Sequence, residues 1–208
     1  MDYYVYTDGA CSKNGYKNAK AGYGIYFGEK DPRNVSHRLK GYQTNNTAEL
    51  TALVQVYDII KKDLDNNKII GIVSDSKYAI GCCSHYGEKC AKMNWGANKK
   101  KSIPNIELVK QAYSIYNKLS NIKWIHVSAH TGNNDLHSLG NAGADRLANE
   151  AIGLSECPYH ICSKIYLNVP FIKKDYAKKL GARWDPQKKK WYSFKNNQHI
   201  DALLSEFS

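Results

Sequence analysis

Four carboxylates, Asp8, Glu49, Asp75 and Asp145, stand where the local pattern of the chain changes. Asp8 follows the apolar run Tyr3 to Tyr6 in YTDGACSKNG, and Asp75 follows the apolar block Ile69 to Val73 in IVSDSKYAI. The apolar spacing around Glu49 and Asp145 puts both in the first turns of helices. Ligands of open α/β sheets collect beyond the carboxyl ends of the parallel strands, so Asp8 and Asp75 could converge there. Like charges held close repel one another unless a cation neutralises them. Hard oxygen donors of this kind suit Mg²⁺ or Mn²⁺, which keep waters and accept phosphate oxygens. Singly, each acid reads as a turn residue or helix cap, and Asp-Gly after a strand is a common hairpin signal. The four together favour the metal.

The elements that must hold these acids are visible in outline. Tyr3 to Tyr6, Gly22 to Phe27 and roughly His37 to Tyr42 are strand-like and separated by Gly, Asn and Pro, which predicts an antiparallel meander. From Ala48 to Lys61, Leu50, Leu53, Val54, Tyr57 and Ile60 recur at helical spacing, with Thr47 placed to cap the start. Ile69 to Val73 and Ile122 to Val127 are further strands, and Ala144, Leu147, Ala148 and Ala151 mark a helix carrying Asp145. Strand and helix in alternation favour an α/β sheet with some parallel pairing.

Composition narrows the partner. At 208 residues and 42% hydrophobic, the chain can bury one good core and a small second one. A net charge of +11 fits a polyanion such as nucleic acid or an anionic membrane surface. No apolar run is long enough to span a bilayer. Met1-Asp2-Tyr3-Tyr4 lacks the basic start and apolar stretch of a signal peptide, so an intracellular, reducing location, cytoplasmic or nuclear and not secreted, is expected. Cys82 and Cys83 are adjacent, which argues for free thiols over a disulfide framework.

YTDGACSKNG, AGYGIYF, QTNNTAEL, IVSDSKYAI and HVSAHTG followed by GNAGADRLANEA resemble, in order and spacing, the type 1 ribonuclease H family over residues 1 to about 152. The resemblance implies a mixed five-stranded sheet flanked by helices. It also implies hydrolysis of the RNA strand of RNA/DNA hybrids by two ions, leaving a 5′ phosphate and a 3′ hydroxyl. Asp8 and Asp145 would hold one Mg²⁺ (Mn²⁺ is the alternative), and Asp8, Glu49 and Asp75 the other, roughly 3.5 to 4 Å away. His130 matches the family's mobile-loop histidine, in a loop a few residues longer than the family's. The competing reading on the same fold is a catalytically weak, hybrid-binding scaffold. A monomer is expected.

By the same resemblance, Cys11, Ser12, Lys13, Asn14, Asn45 and Asn46 match positions that contact the RNA strand, where 2′-hydroxyls distinguish it from DNA. For the Asn and Ser residues ordinary turn chemistry is the competing reading. Thr44 and Asn105 match a pocket for a DNA phosphate. Tyr78 and Tyr86 match aromatic residues of the DNA channel, with Tyr86 in place of the usual tryptophan. Lys89, Lys92, Lys99, Lys100 and Lys101 around Trp95 resemble the family's basic protrusion that holds the hybrid, with a solvated face as the competing reading.

Residues 153–163 read as a linker, and Cys157, His160 and Cys162 within it make too small a set for zinc. Residues 164–208 hold ten Lys and Arg against four Asp and Glu, a net +6. A strand (Ile165 to Val169), a helix ended by Gly181, a turn at Asp185-Pro186, a strand (Trp191 to Phe194) and a helix from about Gln198 predict a small α+β domain. It resembles a small module attached to bacterial and viral proteins of DNA metabolism. Arg183, Trp184, Lys188, Lys189, Lys190 and Trp191 combine charge with flat rings, as a nucleic-acid-binding surface would. Equally, both tryptophans suit a core.

Overall fold

The computed structural model describes residues 1–96, 102–129, 135–154, 164–186, 188–194, 197 and 199–207. The chain divides into two compact units, Met1–Ser155 and Glu156–Ser208.

In the first unit, strand β1 (Tyr3–Ser12) runs on well past Tyr6, so Asp8-Gly9 is strand and not turn. The reason is a continuous antiparallel partner, β2 (Lys20–Tyr26), which matches Asp8 with Gly24 and Ser12 with Lys20. The hairpin turn falls later, where Lys13 and Gly15 take left-handed φ of 52° and 86°. Strand β3 (Val35–Arg38) ends earlier than His37 to Tyr42 suggests. Gln43 folds back there: its Oε1 accepts from the Ala21 amide (2.7 Å) and its Nε2 donates to the carbonyls of Leu39 and Gly41, which fixes 39–43 as a loop.

Helix α1 (Asn45–Asp65) starts before Ala48 because Thr44, not Thr47, is its N-cap. Thr44 Oγ1 accepts from the Thr47 amide and Thr47 Oγ1 from the Thr44 amide, a reciprocal box. Glu49 is therefore in the second turn. Strand β4 (Ile70–Ser74), helices α2 (Lys77–Cys83), α3 (His85–Lys92) and α4 (Ile106–Tyr116), and strand β5 (Ile122–His126) follow. The last helix, α5 (Leu136–Ala151), begins at an Asp135 cap. Asp145 thus lies deep in the helix and not in its first turn; Gly140 and Gly143 had hidden the period of the earlier turns.

The sheet order is β3-β2-β1-β4-β5, with β1, β4 and β5 parallel and β2 and β3 antiparallel. This is the mixed five-stranded sheet that the resemblance implies. Side chains alternate across β1, so Val5 joins Leu50, Leu53, Ile60, Ile72 and Val109 in the core beneath α1 and α4, while Tyr6 joins Val73 and Ala144 beneath α5. Each fully buried Leu or Ile here contributes about 1.5–3 kcal/mol. Among the described residues, no helix is long and apolar enough to cross a membrane, and Cys11, Cys82, Cys83 and Cys90 are free thiols.

The second unit contains β6 (Lys164–Leu167), α6 (Lys174–Lys179), β7 (Arg183–Asp185), β8 (Lys190–Phe194) and α7 (Ile200–Phe207). Its antiparallel sheet is ordered β6-β8-β7, and its core is Leu167, Ala177, Ala182, Leu203 and Phe207. The α+β class stands. Strand β7 is not among the elements the sequence predicts, because three residues carry no legible alternation; the turn expected at Asp185-Pro186 begins at its last residue.

Candidate metal site and nucleic-acid interface

The parallel pairing of β1 with β4 ends at Tyr6 and Val73, and Asp8 and Asp75 each lie two residues further on. A carboxylate oxygen from each, together with one from Glu49 on α1, fits within 4.8 Å. The close approach of α1 depends on Gly9. A Cβ there would lie 2.4 Å from the Glu49 backbone nitrogen.

Each acid is held by neighbours. Asp8 is buried, and its Oδ1 accepts from the Gly9 amide at 2.7 Å. Glu49 accepts from Asn45 Nδ2 at 2.7 Å through Oε1, and from the Ser76 hydroxyl through Oε2. Ser76 also caps α2 by accepting from the Ala79 amide. Asp75 accepts from Asn141 Nδ2 at 3.2 Å. Asp145 is buried on α5, its Oδ1 accepting from Asn149 Nδ2 at 2.8 Å. Its Oδ2 is buried with no hydrogen-bond donor among the described residues. Ser76, Asn141 and Asn149 escaped the sequence reading, although Ser76 three residues before Ala79 carried a cap signal.

Burial is the main reason that the Asp8 carboxyl is pushed well above the usual carboxylate range, and the Asp75 and Asp145 charges add to it. Burial likewise pushes Glu49 up to about 7, against the opposing hydrogen bond from Ser76. Converging carboxylates with an unpartnered oxygen fit divalent cations with oxygen preference. His130 lies outside the described residues, as do Lys99, Lys100, Lys101, Cys157, His160 and Cys162.

The residues expected along a substrate path fall into separate groups. Asn14 Oδ1 accepts from the Asn45 amide at 3.3 Å, which ties the β1–β2 turn to the start of α1. Cys11 Sγ lies 3.7 Å from the Gln43 carbonyl beside them, and Lys13 and Asn46 are exposed. Ser12 Oγ turns to the Lys20 carbonyl instead. Tyr78 and Tyr86 have ring centroids 6.5 Å apart, and the Tyr78 hydroxyl accepts from Asn105 Nδ2 at 3.3 Å. Thr44 spends its hydroxyl on the α1 cap. Trp95 packs edge-on against Tyr113 and partly joins the core, while Lys89 and Lys92 are exposed.

In the second unit the structure separates residues that the sequence grouped. Trp191 packs on the core, and Trp184 beside it is 49% exposed with its ring 5.6 Å away. Arg183, Lys188 and Lys190 are associated with the other face of that sheet, and Lys189 is exposed.

An α/β domain with acids gathered beyond its parallel strands is a candidate metal-binding domain. The RNase H family model matches residues 1–153, and the chain belongs to the RNase H family. A second model, described as a domain of unknown function (DUF5710), matches residues 164–202. Mouse "Ribonuclease H1" is 35% identical over 152 residues, which cover 73% of this chain and 50% of that protein. "Ribonuclease H" of Ruthia magnifica is 33% identical over 153 residues, covering 71% of this chain and 93% of that protein. The chain spans about half the length of the first of these relatives. The solution structure of the PFV RNase H domain superposes with a TM-score of 0.55 at 25% identity, covering 74% of this chain and 95% of that one.

Proposed function

We propose that this chain is an endonuclease that hydrolyses the RNA strand of RNA/DNA hybrids, with residues 1–152 as the catalytic domain, 153–163 as a linker and 164–208 as an accessory domain. The observation that carries this reading is the convergence of Asp8, Glu49 and Asp75 within 4.8 Å in a chain of the RNase H family. Asp8, Glu49, Asp75 and Asp145 would hold Mg²⁺, which supplies activation of water and neutralises charge on the leaving oxygen. Asp8 would contribute to the set from its centre. It is flanked by the other three acids, each of which disfavours its charge. Ser76 and Asn45 orient Glu49, Asn141 orients Asp75 and Asn149 orients Asp145. These supports keep the carboxylates aimed before a cation arrives.

Asn14 and Asn45, tied together beside the acids, offer short polar groups to a wide minor groove, where RNA presents 2′-hydroxyls. Tyr78, Tyr86 and Asn105 form the contiguous patch suited to the DNA strand. His130 would assist positioning or product release.

The test is cleavage of end-labelled RNA presented as hybrid, RNA duplex or single strand, with Mg²⁺ or with EDTA. Cleavage of the hybrid alone, and only with Mg²⁺, is expected. Tight hybrid binding without cleavage would replace the enzyme by a scaffold.

A further inference from the structure

The sheet of the C-terminal unit has two unlike faces. Directly paired residues of an antiparallel ladder share a face, so Leu167, Trp191 and Trp184 lie together, as do Ile165 and Ser193. That face carries the core. The opposite face presents Tyr166, Tyr192 and Phe194 together, Tyr166 across the ladder from Tyr192 and Phe194 two residues further along β8, with ring centroids 6.2 Å apart for the two tyrosines and 5.4 Å for Tyr192 and Phe194. None of the three rings is fully buried, and none belongs to the described core cluster of this unit.

Each ring has its own cation. Lys164 Nζ stands 4.5 Å from the Tyr192 centroid, Lys188 Nζ 4.9 Å from that of Tyr166, and the Arg183 guanidinium 5.5 Å from that of Phe194. Asp185 organises the set: it accepts from Lys164 Nζ at 3.1 Å, from the Tyr166 hydroxyl at 2.9 Å and from the Lys188 amide at 3.1 Å. Lys190, paired with Asp185 across the ladder, is exposed on the same side. Four cations therefore share this face with one carboxylate, and Lys164 pairs with it directly.

We infer that this face, built on Tyr166, Tyr192 and Phe194 and not on the two tryptophans, is a stacking platform for single-stranded nucleic acid. Flat rings beside cations meet the two needs of a nucleotide, a surface for the base and a counter-charge for the phosphate. The occupant is single-stranded because a duplex keeps its base faces stacked inside and can meet only the cations. A segment with a net charge of +6 supplies the long-range attraction. The inference does not depend on the nuclease reading. A chain that fails to cleave hybrid can still bind through this face.

The experiment uses the full chain with fluorescent dT20 and with a duplex of mixed sequence, reading anisotropy over a salt series. Tyr192→Leu and Phe194→Leu together keep apolar bulk but remove two rings, and affinity for dT20 should fall at least about tenfold. Trp184→Leu should change it far less, and duplex affinity should follow salt while ignoring the ring changes. Should the double variant fail to fold, photo-crosslinking of iodo-dU oligonucleotide to the unaltered chain decides instead, the expected adduct lying on the peptide that contains Tyr192. Wild-type affinity in a folded double variant would overturn the platform. So would adducts confined to residues before 155.

Discussion

Gly9 sits between Asp8 on β1 and the backbone of Glu49 on α1, with 2.4 Å separating the Glu49 nitrogen from the position a Cβ would take on Gly9. Absence of a side chain is thus what lets a helix descend onto the strand and bring two acids together. Gly9→Ala should cost about 1–3 kcal/mol, since the atoms in the way are backbone and cannot swing aside. It should also weaken Mg²⁺ binding, because α1 must retreat. Isothermal titration and urea unfolding measure both; a stable variant with unchanged metal affinity would contradict the assignment.

Asp8 is the acid most surrounded by like charge. Asp8→Asn should therefore abolish Mg²⁺-dependent cleavage, because a neutral amide cannot bridge cations, and yet raise Tm in EDTA by about 2–4 °C for each kcal/mol of repulsion relieved. Loss of activity together with a lower Tm would indicate that Asp8 serves the fold instead.

Glu49 gives the metal-free protein an uncommon pH dependence. Its folded value of about 7 lies above its ordinary 4.5, so between those limits the native state binds more protons than the unfolded state. Stability in EDTA should consequently fall as pH rises from 4.5 to 7, by at most about 3 kcal/mol from this group. The stabilisation conferred by Mg²⁺ should be larger at pH 8 than at pH 5. Denaturant titrations at the two pH values test this, with Glu49→Gln expected to flatten the EDTA profile.

The sequence made the acids legible because each sits in a motif with several neighbours of fixed type. Their placement was less so. Asp8-Gly9 carried a turn signal, yet a partner strand extends through it, since pairing with β2 is a long-range fact. The start of α5 was hidden by Gly140 and Gly143, poor helix formers that are present so that the helix can lie against the Tyr6 and Tyr26 rings. Gly24 does the same beneath Ala144, where a Cβ would meet the carbonyl oxygen at 2.1 Å. In the second unit, charge and aromatic content were plain, but strand β7 was too short to reveal alternation. The face occupied by Trp184 and Trp191 was therefore not readable.

Asp185 provides the last prediction. Its carboxyl is held down to about 2 by the Lys188 amide first, then by Lys164 and Tyr166, against an ordinary value of 3.8. A depressed folded value means that the unfolded chain takes up protons first as pH falls. The stabilisation is thus complete above about pH 4 and is lost as pH drops through 2. Asp185→Asn removes this charge, so the C-terminal unit of the variant should be less stable than wild type at pH 7, and the difference should close between pH 4 and 2. Indole N–H signals of Trp184 and Trp191, followed by NMR during urea unfolding, report on this unit. A stability difference that stayed constant from pH 7 to 2 would show that Asp185 acts through shape and not through charge. The charge account also requires Lys164→Met to reduce the pH dependence, since that ion pair contributes to the depression.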